Sequence, residues 1–191
     1  FKPPFPANFG LYGAPTTINN TQSYASVPTI LRKGPEWFAK LGTTNAGGTV
    51  IFSVSGHVNK PGNFELPLGI PFKDLLEIAG GVKGGGLKAV IPGGSSVKVV
   101  PGDVMLGVNM DYDALRAVGS SVGSAAVIVM NDTTCMVRAL ERLSRFYMSE
   151  SCGQCTPCRE GTGWLNRMLK RMVAGQGRIE DVQMLVDVAN R

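Results

Sequence analysis

The chain has 191 residues, of which 43% are hydrophobic and 17% charged, with a formal net charge of +5. This composition is typical of a folded globular protein and excludes a disordered chain. No apolar run reaches the ~18 residues of a membrane-spanning helix, and we expect no secretory leader. The basic residues form no run interleaved with aromatic residues, which argues against nucleic-acid binding.

Both ends of the sequence suggest a piece of a longer protein. The chain begins at Phe1 in a proline-rich stretch without an initiating Met. It ends at Arg191 inside a predicted helix that has no capping glycine. We therefore expect a fragment.

Residues 1–48 are rich in turn-forming residues and contain two short predicted helices, at 23–31 and 36–41. Their apolar periodicity is too weak to supply a core of their own. We therefore expect this segment to be the end of a domain that begins upstream.

Residues 49–130 predict a small α+β unit. The stretch TVIFSVSGHV alternates like a half-buried strand, and NKPG turns the chain into a partner strand at NFEL. A short helix follows, with Pro71 at its first position and Gly80 and Gly81 at its end. Further strands are predicted at KAVIP, VKVVP and SAAVIVM. This order favours a β-grasp-like fold.

Residues 131–191 predict a bundle of three helices. Helical spacing of apolar residues marks each helix, the polar residues 131–134 are candidate N-caps for the first, and Gly175 and Gly177 end the second. On the first helix, Glu141 is predicted to face outward. Three of the four cysteines lie in the loop between the first two helices.

The cysteines of this loop are candidate metal ligands. Cys152, Cys155 and Cys158 follow a Cys-x2-Cys-x2-Cys pattern, in which close neighbours make poor disulfide partners. Thr156 and Pro157 predict an N-cap and a first-turn proline, which would start a helix at Cys158 and aim backbone N–H groups at a negative cluster. Arg159 adds a cation beside the site.

Spacing favours an iron–sulfur cluster and leaves two alternatives open. A zinc site usually takes two separated Cys pairs or a His, and the single His57 lies in a predicted strand of another segment. A redox Cys-x2-Cys pair would leave the third cysteine without a role. The bacterial ferredoxin pattern fails, because the run does not continue with a fourth cysteine and a proline.

Cys135 is not expected to be the fourth ligand. A helix over 135–148 would separate its ends by about 20 Å, at 1.5 Å per residue. We predict Cys135 to be a small buried residue near a helix start, and we expect the fourth ligand beyond Arg191.

Two other features favour structural roles. The glycine-rich stretch GGVKGGGLK lacks the residue order of a phosphate-binding loop and predicts a turn. His57 is predicted to be a hydrogen-bonded structural histidine.

The stretch ESCGQCTPCREG, followed by Trp164, resembles the cluster-binding signature of the flavoprotein subunit of respiratory complex I. This NADH-oxidising protein is called the F subunit in bacteria and the 51 kDa subunit in mitochondria. The resemblance extends over nearly the whole chain, through FKPPFPANFGLYGAPTTINN, GPEWFAKLG, FSVSGHVNKPG, AVIPGGSS and AAVIVM.

The resemblance implies an α+β multidomain fragment. Residues 1–48 would be the end of an FMN-binding α/β domain, and residues 49–130 a β-grasp-like domain that binds soluble ligands. Residues 131–191 would be a truncated C-terminal helical bundle that carries a [4Fe-4S] iron–sulfur cluster.

The resemblance also implies the site residues. Asn19 and Asn20 would hydrogen-bond FMN, with Thr17 and Ile18 lining the same turn, and three metal ligands would be Cys152, Cys155 and Cys158. The family's glycine-rich segment for FMN and NADH is absent, as are its acidic residues near the nicotinamide. No catalytic residue is therefore expected in this chain.

The implied function is to pass electrons from NADH through FMN to a [4Fe-4S] cluster, with NAD(H) as substrate, in an NADH dehydrogenase (quinone). The implied partners are the small iron–sulfur subunit and the large multi-cluster subunit of the peripheral arm. The implied location is peripheral, on the cytoplasmic side of the bacterial inner membrane or alternatively the mitochondrial matrix side. Two alternatives remain: a diaphorase subunit of an NAD-reducing hydrogenase or NAD-linked formate dehydrogenase, and a zinc-stabilised protein-interaction module.

Overall fold

The computed structural model describes residues 3–190. Within them the chain divides into two compact units. One consists of residues 3–50 and 65–70, and the other of residues 51–64 and 71–190. The described residues contain no helix long and apolar enough to cross a membrane.

The first unit contains the two helices predicted near the start of the chain. Helix α1 spans Thr21–Lys33 and α2 spans Pro35–Ala39, which confirms both predictions. Two short strands, β1 (Gly42–Thr43) and β2 (Ala46–Gly47), pair antiparallel. Neither helix contains a buried residue, in keeping with the expected lack of an independent core.

The second unit is built on a mixed sheet whose strand order is β4-β3-β7-β5-β6. Its strands are β3 (Thr49–Gly56), β4 (Gly62–Pro67), β5 (Leu87–Ile91), β6 (Val100–Pro101) and β7 (Ala126–Asn131). Strands β3 and β7 pair in parallel, whereas β5 pairs antiparallel with both β7 and β6. The predicted strands are confirmed, although VKVVP supplies only the two residues of β6.

Alternating apolar residues bury one face of the sheet. Phe52 and Val54 of β3 are buried, while Ile51, Ser53 and Ser55 between and beside them are exposed. Burial of each such side chain stabilises the fold by about 1.5–3 kcal/mol. A simple period of two in the sequence is therefore enough to predict this strand.

Helix α3 (Phe72–Ile78) buries the predicted apolar stripe. Its buried residues include Phe72, Leu75 and Leu76, and Ala79 beside its end is buried as well. Pro71 is the N-cap of α3 and not its first helical residue, which corrects the prediction by one position. Two further short helices, α4 (Gly102–Met105) and α5 (Tyr112–Ala117), each contribute one fully buried apolar side chain, Met105 and Leu115.

Gly56 fixes how closely β3 approaches β7. Its φ is +85°, and a Cβ at this position would lie 2.2 Å from the carbonyl oxygen of Val129. Only glycine combines this backbone conformation with this approach.

Three helices follow the sheet, as predicted: α6 (Met136–Ser149), α7 (Thr156–Val173) and α8 (Glu180–Ala189). Asn166 of α7 is 1% exposed, and its Nδ2 donates to both the backbone oxygen and Oε1 of Glu141 on α6. Glu141 was predicted to face outward, so this contact is a correction. A buried amide needs partners, and here the neighbouring helix supplies them.

A second polar contact joins α7 to α8. The carboxylate of Asp181 is buried and accepts hydrogen bonds from the Arg171 guanidinium and the Arg178 backbone N–H. The Arg171 hydrogen bond, followed by the Arg178 N–H, holds the pKa of Asp181 below its ordinary value. Because the folded-state pKa is lowered, the contact stabilises the fold at neutral pH, and the stabilisation is lost as the pH falls through that lowered value.

Helix α6 packs against one side of the sheet through a small apolar cluster. Ala89, Ile91 and Met130 are its buried members, and Met136 and Leu143 of α6 lie against them. Lys88 on β5 adds a hydrogen bond from its Nζ to the Thr134 backbone oxygen at 2.6 Å. These contacts fix the start of α6 relative to β5 and β7.

Candidate functional site

The three clustered cysteines occupy the connection from α6 to α7. Cys152 lies in the loop, Cys155 is the N-cap of α7, and Cys158 lies in the first turn of that helix. All three thiols are free and exposed. Helix α7 thus begins at Thr156, two residues earlier than predicted, and Thr156 is not the cap. Pro157 still falls in the first turn, where its missing N–H has no hydrogen bond to lose.

Hydrogen bonds fold this loop back onto the first turn of α7. The Gly153 N–H donates to Ser151 Oγ at 3.3 Å, and the same oxygen lies 3.5 Å from Cys158 Sγ. Arg159 Nη1 donates to the Gly153 backbone oxygen at 2.9 Å. Gly153 has a φ of +75°, a conformation that favours glycine. Ser151 and Arg159 therefore hold the two ends of the cysteine loop together.

The donor chemistry of the loop fits an iron–sulfur cluster. Thiolates are the ligands of such clusters, and they also bind zinc. Cys155 and Cys158 lie at the start of an 18-residue helix, where unpaired backbone N–H groups favour negative charge. Arg159 is the fourth residue of this helix and adds a cation to it.

The structure places the thiols in one loop but does not bring them to a common point. Among residues 3–190, no group of three or more His, Cys, Asp or Glu side chains converges closely enough to hold a metal ion. Joint binding by Cys152, Cys155 and Cys158 therefore requires their exposed side chains to turn toward each other.

Cys135 lies at the opposite end of α6 from this loop. It is the N-cap of α6, a position predicted for the polar residues 131–134. The Asn131 side chain instead accepts hydrogen bonds from the N–H and hydroxyl of Thr133. The polar stretch therefore forms a turn before the helix and does not cap it. At 1.5 Å per residue the 14 residues of α6 span about 20 Å, the length expected from the sequence.

Cys135 is exposed, so its predicted burial is wrong. The N-cap residue lies before the first helical turn, so the Cys135 side chain does not lie on the packed face of α6. The Arg138 backbone N–H lowers the pKa of the Cys135 thiol, and the Val137 N–H acts in the same direction.

The candidate flavin turn, residues 17–20, lies in the first unit. Asn20 is the N-cap of α1, and its Oδ1 accepts from Gln22 N–H at 2.9 Å and from Ser23 N–H at 3.4 Å. A ligand would therefore use the remaining donor of Asn20, its Nδ2. Asn19 Nδ2 donates to the Tyr24 hydroxyl at 3.2 Å.

A concave surface of about 460 Å³ adjoins this turn. Thr17 and Ile18 line it, and Ile18 is 68% exposed. The other lining residues are Phe5, Pro6, Ala7, Pro15 and Thr16. The four predicted residues are consecutive and exposed, and the concavity adjoins two of them.

Ser151 is the site residue that the sequence did not single out. Its one signal is its position immediately before the first cysteine of the motif. A lone serine in a loop has many possible partners, and only the fold shows that its hydroxyl reaches Cys158. Arg159 was expected as a nearby cation, and the structure adds its hydrogen bond to Gly153.

Two family models match the chain. The model of the NADH-ubiquinone oxidoreductase-F iron-sulfur binding region matches residues 138–191, which include the three clustered cysteines. The SLBB domain model matches residues 51–100, which include most of β3 and all of β4, α3 and β5.

The chain is also similar to whole proteins. It is 56% identical to the NADH-quinone oxidoreductase F subunit of Rickettsia bellii (strain OSU 85-389), over 98% of this chain and 46% of that protein. It is 55% identical to an NADH-quinone oxidoreductase F subunit of Rhizobium meliloti (strain 1021), over 100% of this chain and 44% of that protein. The chain therefore spans less than half the length of these relatives.

A solved structure has a similar fold. A chain of NAD+-reducing [NiFe]-hydrogenase in the H2-reduced state matches with a TM-score of 0.83 and 30% identity, over 98% of this chain and 32% of that one. The higher identity to the two F subunits and the match to the iron-sulfur region agree with the resemblance drawn from the motifs. Along nearly its whole length the chain is therefore similar to part of the NADH-quinone oxidoreductase F subunits.

Proposed function

We propose that this chain is the part of an NADH-oxidising flavoprotein subunit that receives electrons from FMN and holds them on a [4Fe-4S] cluster. The observation that carries the proposal is the α6–α7 loop. Three free, exposed thiols lie there at the start of a helix, and they fall inside the matched iron-sulfur region.

The residues of the loop would act as ligands and as supports. Cys152, Cys155 and Cys158 would bind three corners of the cluster, and a cysteine outside residues 1–191 would bind the fourth. Ser151 and Arg159 would hold the loop in shape, while the N–H groups at the start of α7 offset the negative charge of the thiolates. When bound, the cluster supplies one-electron chemistry, and the protein positions and tunes it.

The candidate flavin turn would serve the electron donor. Asn19 and Asn20 would hydrogen-bond FMN, with Thr17 and Ile18 beside them. NAD(H) would be the substrate of the whole subunit, and no residue of this chain is assigned to hydride transfer.

The proposed organisation keeps three segments. Residues 1–48 would end the FMN-binding domain, residues 49–130 would form the β-grasp-like domain, and residues 131–191 would carry the cluster. The SLBB match at 51–100 and the iron-sulfur match at 138–191 support the second and third segments. The partners would be the small iron–sulfur and large multi-cluster subunits of a peripheral arm, on the cytoplasmic side of a bacterial inner membrane or the mitochondrial matrix side.

One alternative has a specific observation in its favour. The fold similarity to NAD+-reducing [NiFe]-hydrogenase supports a diaphorase subunit, in which the flavin and cluster chemistry would be the same but the final acceptor would differ. The 55–56% identity to the two quinone-linked relatives exceeds the 30% identity to that hydrogenase and favours the quinone-linked enzyme.

The ligand assignment is tested by a pair of cysteine variants in the full-length subunit. Cys155→Ser should abolish the EPR signal of the reduced cluster and lower bound iron and acid-labile sulfide. Cys135→Ser makes the same chemical change at the far end of α6 and should leave the signal intact. An unchanged signal in Cys155→Ser, or zinc in place of iron in the wild type, would refute the proposal.

A further inference from the structure

A groove of about 1120 Å³ lies in the second unit, away from the cysteine loop. Helix α6 forms one side, and the connection from α7 to α8 forms the other. Its ionisable lining residues are His57, Cys135, Arg138, Glu141, Arg142, Arg145 and Arg178. None of the three clustered cysteines lines it, so it is a surface separate from the candidate cluster site.

The groove carries an excess of positive charge. Four arginines line it against one carboxylate, Glu141, whose Oε1 already accepts a hydrogen bond from Asn166. Within the described residues, the ion pairs are Arg159–Glu160 and Arg171–Asp181, and neither involves an arginine of the groove.

The three arginines of α6 form a single stripe. Arg138, Arg142 and Arg145 are spaced i, i+4 and i+7, which places them on one face of the helix, and all three are exposed. Like charges at such spacing destabilise an isolated helix. An anionic partner along the stripe would remove this repulsion.

Apolar side chains lie between these charges. Ile179 is 90% exposed and Val137 is 37% exposed, and both line the groove with Met172 and Val173. The surface therefore combines cations with uncovered apolar area, which suits a ligand with both acidic and apolar groups.

The spacing of the stripe favours an extended ligand over a small anion. Arg138 and Arg145 are seven residues apart, so about 10 Å of helix separates them at 1.5 Å per residue. An extended peptide advances about 3.3 Å per residue and would pass all three arginines within roughly four residues. A single phosphate needs donors that converge on one point. Among the described residues that line the groove there is no Phe, Tyr or Trp for base stacking, which disfavours single-stranded nucleic acid.

We propose that this groove is a docking surface for an acidic peptide segment, with apolar residues among its acidic ones, that belongs to another polypeptide. The arginine stripe supplies charge complementarity and a fast electrostatically steered encounter, and the exposed apolar residues supply the buried area. The proposal does not depend on the identity of the cluster.

The probe is a fluorescein-labelled peptide of alternating glutamate and leucine, added to the full-length subunit at low salt. The variant Arg138→Gln/Arg142→Gln should raise the Kd of the peptide about tenfold, because it removes two ion pairs between the groove and the peptide. The control variant Lys73→Gln/Arg116→Gln removes the same net charge from exposed positions on α3 and α5 and should change the Kd less than twofold.

A second measurement ties binding to the groove itself. Cys135 is exposed and lines the groove, so saturating peptide should slow its alkylation by iodoacetamide, read by mass spectrometry of the Cys135 peptide. Equal weakening in both double variants would show general attraction to a basic protein and overturn the proposal. An unprotected Cys135, or tighter binding of tripolyphosphate than of the peptide, would overturn it as well.

Discussion

Ser151 connects the two ends of the cysteine loop through one hydroxyl group. Its Oγ accepts the Gly153 N–H and lies 3.5 Å from Cys158 Sγ. A serine next to Cys152 therefore contacts a second cysteine, in the first turn of α7. In an iron–sulfur site, a hydroxyl that donates to a ligand sulfur stabilises the reduced state more than the oxidised state, because the reduced state is more negative. Ser151 is thus positioned to tune a bound cluster.

We expect Ser151→Ala to lower the reduction potential of the cluster by about 40 mV, because loss of about 1 kcal/mol of differential stabilisation corresponds to that shift for one electron. The measurement is an EPR-monitored redox titration of the full-length subunit. Ser149→Ala, at the end of α6 and outside the loop, is the matched control and should leave the potential unchanged. A wild-type potential in Ser151→Ala, with the EPR signal retained, would contradict the role.

The cysteine motif could be predicted from the sequence because its spacing is itself the signal. The surroundings of each cysteine could not, since they depend on contacts that spacing does not encode. Cys135 shows the limit: a cysteine near a helix start suggested burial, yet the N-cap position leaves it exposed. His57 shows the same limit of prediction from sequence. Its backbone N–H donates to Val129 as a structural residue should, but its buried Nδ1 has no hydrogen-bond partner among the described residues.

At the scale of elements, helices and strands followed their periods closely. The stripe of α3 is buried as predicted, and the errors lie at the ends, where Pro71 and Cys155 are caps. Such shifts of one or two residues arise because propensity constrains the body of a helix more than its first residue. The predicted strand VKVVP is short for a different reason, because only Val100 and Pro101 of this stretch pair with β5.

Gly56 and Gly81 together test whether the close approach of β3 to β7 requires glycine. Both have positive φ, of +85° and +75°, but a Cβ at Gly56 would clash with Val129 whereas a Cβ at Gly81 would meet nothing within 4 Å. Gly81→Ala should lower the free energy of unfolding by about 1–2 kcal/mol, the cost of the left-handed conformation.

Gly56→Ala should cost at least about 3 kcal/mol, because steric conflict between strands β3 and β7 adds to the same backbone strain. Urea unfolding monitored by circular dichroism measures both values. Equal costs for the two variants would show that β3 shifts freely against β7 and that the close approach is not needed.

At the scale of the whole molecule, the two candidate cofactor sites lie in different compact units. The flavin turn belongs to the unit of residues 3–50 and 65–70, and the cysteine loop belongs to the other unit. The assignment of residues 65–70 to the first unit could not be predicted from local pattern. It depends on bonds between distant residues, such as Leu68 N–H to the Gly48 oxygen and Thr49 Oγ1 to Glu65.

We expect the two sites to respond separately to mutation. Asn19→Ala in the full-length subunit should raise the Kd of FMN about tenfold, the effect of one lost hydrogen bond of about 1.4 kcal/mol, and leave the cluster EPR signal unchanged. Fluorescence titration with FMN measures the first quantity. Tyr24→Phe removes the present partner of the Asn19 amide but keeps that amide, so it should retain FMN. Wild-type FMN affinity in Asn19→Ala would remove this residue from the flavin site.

The parallel pairing of β3 with β7 has a consequence for synthesis. Ser53 pairs with Ala126, so the centre of the sheet closes only after about seventy intervening residues have been translated. At roughly 5–20 residues per second, β3 waits several seconds for this neighbour on the ribosome, with only β4 beside it. Strand β7 is followed directly by α6 and the cysteine loop. The proposed metal ligands therefore leave the ribosome after the sheet that supports α6 becomes able to close, which orders folding of the sheet ahead of cofactor insertion.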